Sequence, residues 1–142
     1  VTEVVIDAST ALAWCFPDEA SEYAEGVLVA LEGRRILVPA VWGLELANAI
    51  AVGERRGRLA AHEVEVFLEL LENLDIDQDV AAVIETIRSA RMHARKYELS
   101  AYDAAYLELA IRRGTSLATL DGKMRKAAGV AGVRIFPDNL SH

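Results

Sequence analysis

Val4-Val5-Ile6-Asp7-Ala8-Ser9 is the stretch that decides the fold. Three β-branched residues in succession read as a strand buried on both faces, the habit of a parallel sheet covered by helices. The run stops at a carboxylate, a small residue and a hydroxyl. Open parallel sheets bind ligands at the carboxyl ends of their strands, near the point where strand order reverses. Asp7 therefore stands where such a sheet does its chemistry, and carboxylates farther along the chain are placed to meet it.

Residues 10–16 are apolar and read as a short helix. Pro17-Asp18 breaks it, with Asp18 capping the next. Ala20, Ala24, Val27, Leu28 and Leu31 then recur at helical spacing as far as Gly33. Residues 36–39 form a second buried strand. The helix expected over 41–56 is apolar almost all round; Glu45 and Asn48 interrupt it, three residues apart and so on one face. A helix over 63–74 follows Ala60, which offers no side-chain cap. Residues 74–76 read as a short third strand.

Asp79 is expected to cap a helix that turns Val80, Val83, Ile84 and Ile87 inward and carries Arg88, Arg91 and Arg95 along its other side. The helix from Ser100 to about residue 111 is again apolar nearly all round and belongs in the core. Residues 116–120 form a strand ending in Asp121-Gly122, 123–128 a short helix, and 133–136 a last strand closed by Pro137. Strands alternate with helices and no repeat or linker intervenes. The expectation is one α/β domain over residues 1–142 with a mostly parallel sheet.

Fifteen Lys and Arg against 22 Asp and Glu leave a formal charge of −7, which excludes general attraction to nucleic acid or anionic membrane. Any nucleic-acid role must rest on local basic patches or bound cations. Cys15 is the single cysteine, so no internal disulfide forms; this fits a reducing compartment such as the cytoplasm. The first residues enter a strand without the basic head of a signal peptide, and no apolar run is long enough to span a bilayer.

The acids carry the chemistry. Asp7 and Asp121 follow strands, where an aspartate also serves as a helix cap or turn residue. Ser100-x-x-Asp103 resembles a capping box. Glu45 is harder to explain structurally, because an unpaired charge inside an apolar helix costs several kcal/mol. It needs a cation, an arginine or a proton. Taken jointly, two acids at strand ends and two in apolar helices can converge at one sheet edge. Clustered carboxylates repel one another, and a divalent cation relieves the repulsion. Hard oxygen donors with few histidines suit Mg²⁺ or Mn²⁺ rather than Zn²⁺.

Other residues give weaker signals. His62, His93 and His142 have no zinc spacing, Cys15 reads as core, and no glycine-rich phosphate loop occurs. The Arg88/Arg91/Arg95 stripe is either a solvated face or an RNA contact.

Four blocks in order resemble the PIN-domain nucleases, specifically the VapC-like toxins of bacterial toxin–antitoxin pairs. They are Val5-Ile6-Asp7-Ala8-Ser9; Glu45-Leu46-Ala47-Asn48-Ala49 with Arg55-Arg56-Gly57-Arg58-Leu59; Tyr102-Asp103-Ala104-Ala105-Tyr106-Leu107; and Leu117-Ala118-Thr119-Leu120-Asp121 with Ala127-Ala128. The resemblance implies a three-layer α/β/α fold with about five strands in the order 3-2-1-4-5. It implies an acidic Mg²⁺ or Mn²⁺ site of Asp7, Glu45, Asp103 and Asp121, with Ser9, Asn48 and Thr119 as supporting polar residues. It further implies a homodimer that cleaves RNA and is silenced by a small antitoxin. Gly122-Lys123 departs from relatives that carry a further acid after Asp121. That departure bears on a second metal position.

The leading expectation is a metal-dependent endoribonuclease, with Lys123 and Arg125, and Arg88, Arg91 and Arg95, as candidate RNA contacts. Two other readings stay open. One is a receiver-like Mg²⁺-binding signalling module, against which Asp7 lacks an adjacent acid. The other is a PIN-like scaffold that has lost activity and only binds partners.

Overall fold

The computed structural model describes residues 2–137. Its sheet is built around β1 (Glu3–Ile6), which pairs in parallel with β2 (Arg35–Val38) on one side and β4 (Ser116–Ala118) on the other. β3 (Ile76–Gln78) pairs in parallel with β2, giving the order β3-β2-β1-β4. Val5 lies opposite Leu37 and Leu117, and all three are fully or almost fully buried. Central strands covered by helices on both faces need this continuous apolar run. The reversal of strand order falls at β1, so its carboxyl end opens the crevice that holds Asp7.

Helices flank the sheet in two groups. α1 (Ala8–Cys15) gathers α2 (Glu22–Ala30), α3 (Val41–Arg55) and α4 (Ala61–Glu72) around itself. α6 (Ala101–Arg113) packs on β1 and β4, with α5 (Val83–Tyr97) and α7 (Gly122–Ala131) against it. Among the described residues, no helix is long and apolar enough to cross a membrane.

Among the described residues the sheet has four strands where five were expected. Ile135 makes a single parallel bridge to Leu117, in the fifth position beside β4. Leu117 N–H donates to Arg134 O at 3.0 Å and Phe136 N–H to Leu117 O at 2.9 Å. The next carbonyls along the pairing are then taken by side chains: Thr119 O accepts from Arg125 Nε at 2.9 Å and Phe136 O from the Tyr23 hydroxyl at 2.6 Å.

Four local expectations also change. Asp18 does not cap α2; Ser21 does, accepting from Ala24 N at 3.0 Å. Asp18 instead joins Glu19 in pairing with Arg58, whose guanidinium lies 4.3 Å over the Phe16 ring. Asp79 does not cap α5, which starts after Ala82; it accepts two bonds from Arg112, at 2.7 and 3.2 Å. Third, Val80, Val83, Ile84 and Ile87 face outward, and no residue of α5 is buried. The helix instead rests on α6 through smaller or partly buried residues such as Ala94 and Tyr97. The third strand lies two residues later than expected.

Candidate active site

Asp7 ends β1 and caps α1, so its carboxylate is buried at the sheet edge with 4 % exposure. Neutral donors hold it. Oδ1 accepts from Ser9 Oγ at 2.7 Å, Thr10 N at 3.1 Å and Thr10 Oγ1 at 3.3 Å; Oδ2 accepts from Thr119 Oγ1 at 2.5 Å. The two supporting hydroxyls also tie down the loop after β4. Ser9 Oγ accepts from Leu120 N at 3.1 Å, and Thr119 Oγ1 from Asp121 N at 3.0 Å. Burial raises the Asp7 carboxyl above its ordinary value, and the bonds from Thr119, Ser9 and Thr10 oppose that rise.

Asp121 caps α7 by accepting from Lys123 N at 3.0 Å, as Asp7 caps α1. The capping roles read from sequence are thus present in both acids, and capping leaves carboxylate lone pairs for other work. Ser100 caps α6 by accepting from Asp103 N at 3.1 Å, which sets Asp103 in the first turn. Burial raises the Asp103 carboxyl; Asp121 adds to the rise, while Ser100 and Lys123 oppose it.

Glu45 sits partly buried in the second turn of α3. Its Oε1 accepts from the Tyr106 hydroxyl of α6 at 2.5 Å. Burial raises its carboxyl too, Tyr106 opposes this, and Asp103 and Asp7 add to it. Those mutual effects make the acids one electrostatic neighbourhood: Glu45 feels Asp103 and Asp7, and Asp103 feels Asp121. They do not form a closed cage. Among the described residues, no three His, Cys, Asp or Glu side chains stand close enough together to hold an ion. The donor chemistry, all carboxylate oxygen, nevertheless fits a hard divalent cation.

The remaining expected residues divide. Ser9 and Thr119 bond directly to Asp7. Asn48 is exposed one turn beyond Glu45. Lys123 is exposed beside Asp121 and within electrostatic reach of Asp103. Arg125 is already engaged, its Nε on Thr119 O and its guanidinium 4.5 Å over the Tyr23 ring. Arg88, Arg91 and Arg95 are exposed on α5. The α5–α6 turn brings the Arg95 end of α5 to the Asp103 end of α6, with Arg88 about 10 Å farther back.

Sequence reasoning missed Thr10 and Tyr106 as partners of the acids. Tyr106 read as apolar core, which it also is at 1 % exposure. Its position three residues after Asp103, on the same face of a helix, was the available signal. Among the described residues, one buried side-chain polar atom has no partner: Trp42 Nε1, one turn before Glu45 on α3.

A larger feature lies away from the acids. α3, α5, α6 and the chain after β3 enclose a groove of about 810 Å³, lined in part by Val41, Leu44, Val80 and Ala90. Leu44 is 73 % and Val80 88 % exposed. Arg112 borders the groove and pairs with both Asp79 and Glu108.

Residues 4–130 match the PIN domain family model. Ribonuclease VapC3 of Pyrobaculum aerophilum is 34 % identical over 122 residues, which cover 86 % of this chain and 92 % of that protein. Among solved structures, PAE2754 from Pyrobaculum aerophilum superposes with a TM-score of 0.65 at 24 % identity, covering 89 % of this chain and 79 % of its own. FitAcB from Neisseria gonorrhoeae gives a TM-score of 0.58 at 20 % identity, covering 95 % and 97 %. These two likenesses concern the fold.

Proposed function

We propose, from the premise that this chain belongs to the PIN-domain family and is VapC-like, that it is a metal-dependent endoribonuclease and the toxin of a toxin–antitoxin pair. The observation that carries the reading is a missing counter-charge. Glu3, Asp18, Glu19, Asp75, Asp79 and Glu108 each pair with an arginine. Among the described residues, Asp7, Glu45, Asp103 and Asp121 pair with none; most other unpaired acids are exposed, whereas burial penalises the charge on Asp7, Glu45 and Asp103. A group of half-buried like charges without a cation costs stability, and a bound divalent ion removes that cost. The receiver-like reading has no support beside the PIN match.

Asp7, Asp103 and Asp121 would hold Mg²⁺ or Mn²⁺ directly or through water, with Glu45 a further ligand or the group that orients the attacking water. When bound, such an ion makes water more acidic and stabilises charge on a phosphoryl oxygen. Ser9 and Thr119 keep Asp7 fixed, and Thr119 also fixes the backbone of Asp121. Lys123, exposed beside Asp121, would contact a flanking phosphate. In-line attack leaves a 5′-phosphate and a 3′-hydroxyl.

With a net charge of −7, the chain relies on such local cations to hold RNA. The arginines of α5 extend the same path. A small antitoxin presenting an arginine among the acids would compete with the ion through charge-assisted bonds. A second copy of the chain is the proposed occupant of the apolar groove around Leu44 and Val80, since exposed apolar patches mark interfaces. The cytoplasm, where RNA is met and Cys15 stays reduced, is the proposed location.

The test is RNA cleavage by Asp7→Asn, Glu45→Gln, Asp103→Asn and Asp121→Asn variants. Each should lose most activity while remaining folded. Near-wild-type cleavage by any two would sink the shared site, and a folded wild type that binds RNA without cutting it would favour the inactive scaffold.

A further inference from the structure

We infer that Tyr106 is a positioning residue for Glu45, fixing one oxygen of that carboxylate so that the other is presented to the metal-bearing side of the site. The inference rests on the nuclease reading above. Tyr106 is 1 % exposed, and its ring belongs to the hydrophobic core, a task phenylalanine performs equally well. The hydroxyl therefore needs its own explanation. It reaches 61 residues back along the chain to Glu45 Oε1 at 2.5 Å. Among the described residues, no other donor contacts either oxygen of Glu45.

The choice of donor matters. An arginine or lysine here would orient Glu45 equally well but neutralise it, as Arg112 does for Asp79 and Glu108. A phenol supplies direction without charge. Ser9, Thr10 and Thr119 treat Asp7 in the same way. Tyr106 also follows Asp103 by three residues on α6, so both project from one helix face. The bond thereby ties Glu45 of α3 to the helix that carries Asp103 and sets the spacing of two acids from different elements.

The experiment compares wild type, Tyr106→Phe, Glu45→Gln and the double variant. Mn²⁺ affinity is read from the electron paramagnetic resonance signal of free Mn²⁺ without RNA, and kcat and KM from RNA cleavage. Tyr106→Phe should keep its melting temperature within a few degrees. It should weaken Mn²⁺ binding and lower kcat, each about tenfold, with KM for RNA unchanged. In the Glu45→Gln background the same change should add less than about twofold, because the carboxylate that Tyr106 orients is no longer there to serve the metal. Tyr106→Phe that matches wild type in Mn²⁺ affinity and kcat overturns the positioning role alone. Equal, additive losses in both backgrounds overturn it as well, by assigning the effect to packing. A wild type that neither binds Mn²⁺ nor cleaves RNA overturns the functional reading, and the positioning role with it.

Discussion

Thr119 Oγ1 donates to Asp7 Oδ2 at 2.5 Å while accepting from Asp121 N at 3.0 Å. One fully buried hydroxyl therefore couples the acid that ends β1 to the backbone of the acid that follows β4. Thr119→Val should strand both partners. The loss of a buried donor to a carboxylate, and of an acceptor for an N–H, predicts a destabilisation of about 2–3 kcal/mol and at least about tenfold slower cleavage. Thr119→Ser, which keeps the hydroxyl, should recover most of both. Chemical denaturation and single-turnover cleavage measure the two effects; a fully active Val variant would break the link.

The acids should make the metal-free protein pH-sensitive in a definite direction. Burial raises the carboxyls of Asp7, Glu45 and Asp103 above their ordinary values. A carboxyl raised on folding contributes stability that is fully present below its unfolded pKa and is lost as pH rises through the folded one. Glu45→Gln and Asp103→Asn should therefore raise the melting temperature at pH 7 in the absence of divalent ions. The advantage should shrink as pH falls into the ordinary carboxyl range, where the wild-type carboxyls take up protons. Added Mn²⁺ should stabilise wild type more than either variant. Thermal scans across pH, with and without Mn²⁺, decide this; variants that melt lower at pH 7 contradict it.

Gly53 is required by packing. A Cβ there would lie 2.6 and 2.7 Å from the Phe16 ring, over which the Arg58 guanidinium also rests at 4.3 Å. Gly53→Ala should cost about 1–3 kcal/mol through forced movement of α3 against α1, despite the better helix propensity of alanine. Because α3 carries Glu45, cleavage should fall as well. A stabilised Gly53→Ala protein would show that the ring yields freely.

Self-association should be separable from folding. Leu44 is 73 % and Val80 88 % exposed in the lining of the apolar groove. Charged substitutions such as Leu44→Glu and Val80→Glu remove little from the core, so each should leave the melting temperature nearly unchanged while shifting the chain to monomer. Sedimentation at micromolar concentration reads the outcome. A wild-type monomer, or variants that remain dimeric, places the interface elsewhere or nowhere.

RNA engagement is best probed at Lys123. Arg125 is less clean, because its removal also releases Thr119 O and uncovers Tyr23. Lys123→Ala should weaken RNA binding and reduce the magnitude of the logarithmic salt slope by about 0.7, the value for one phosphate contact on a single strand. Mn²⁺ affinity should not weaken. An unchanged slope assigns Lys123 to the solvated surface.

The chain order of strands and helices was legible because each element carries its own local signal: the β-branched run before Asp7, the apolar strand before Pro39, the Ser100 cap of α6. Failures occurred where distant residues outbid local preference. Asp79 has the chemistry of a helix cap, yet Arg112, 33 residues away, claims its carboxylate. The expected last strand appears among the described residues as one bridge, beside carbonyls to which Arg125 and Tyr23 donate. The outward face of α5 was misread because periodicity marks an apolar stripe without saying whether it meets this chain's core or another surface. At the site, acids placed at strand ends and inside apolar helices were visible as anomalies. Tyr106 was not, since a tyrosine among alanines and leucines looks like core until its hydroxyl is located.

The central claim is that the acids act as one ion-dependent nuclease site, and mapping the ends of RNA cut by purified wild-type and Asp7→Asn protein, with Mn²⁺ or with EDTA, tests it most directly. The account predicts 5′-phosphate and 3′-hydroxyl ends that form with Mn²⁺, disappear with EDTA and disappear in Asp7→Asn. Cleavage that persists in EDTA, yields a 2′,3′-cyclic phosphate, or survives in Asp7→Asn would contradict it.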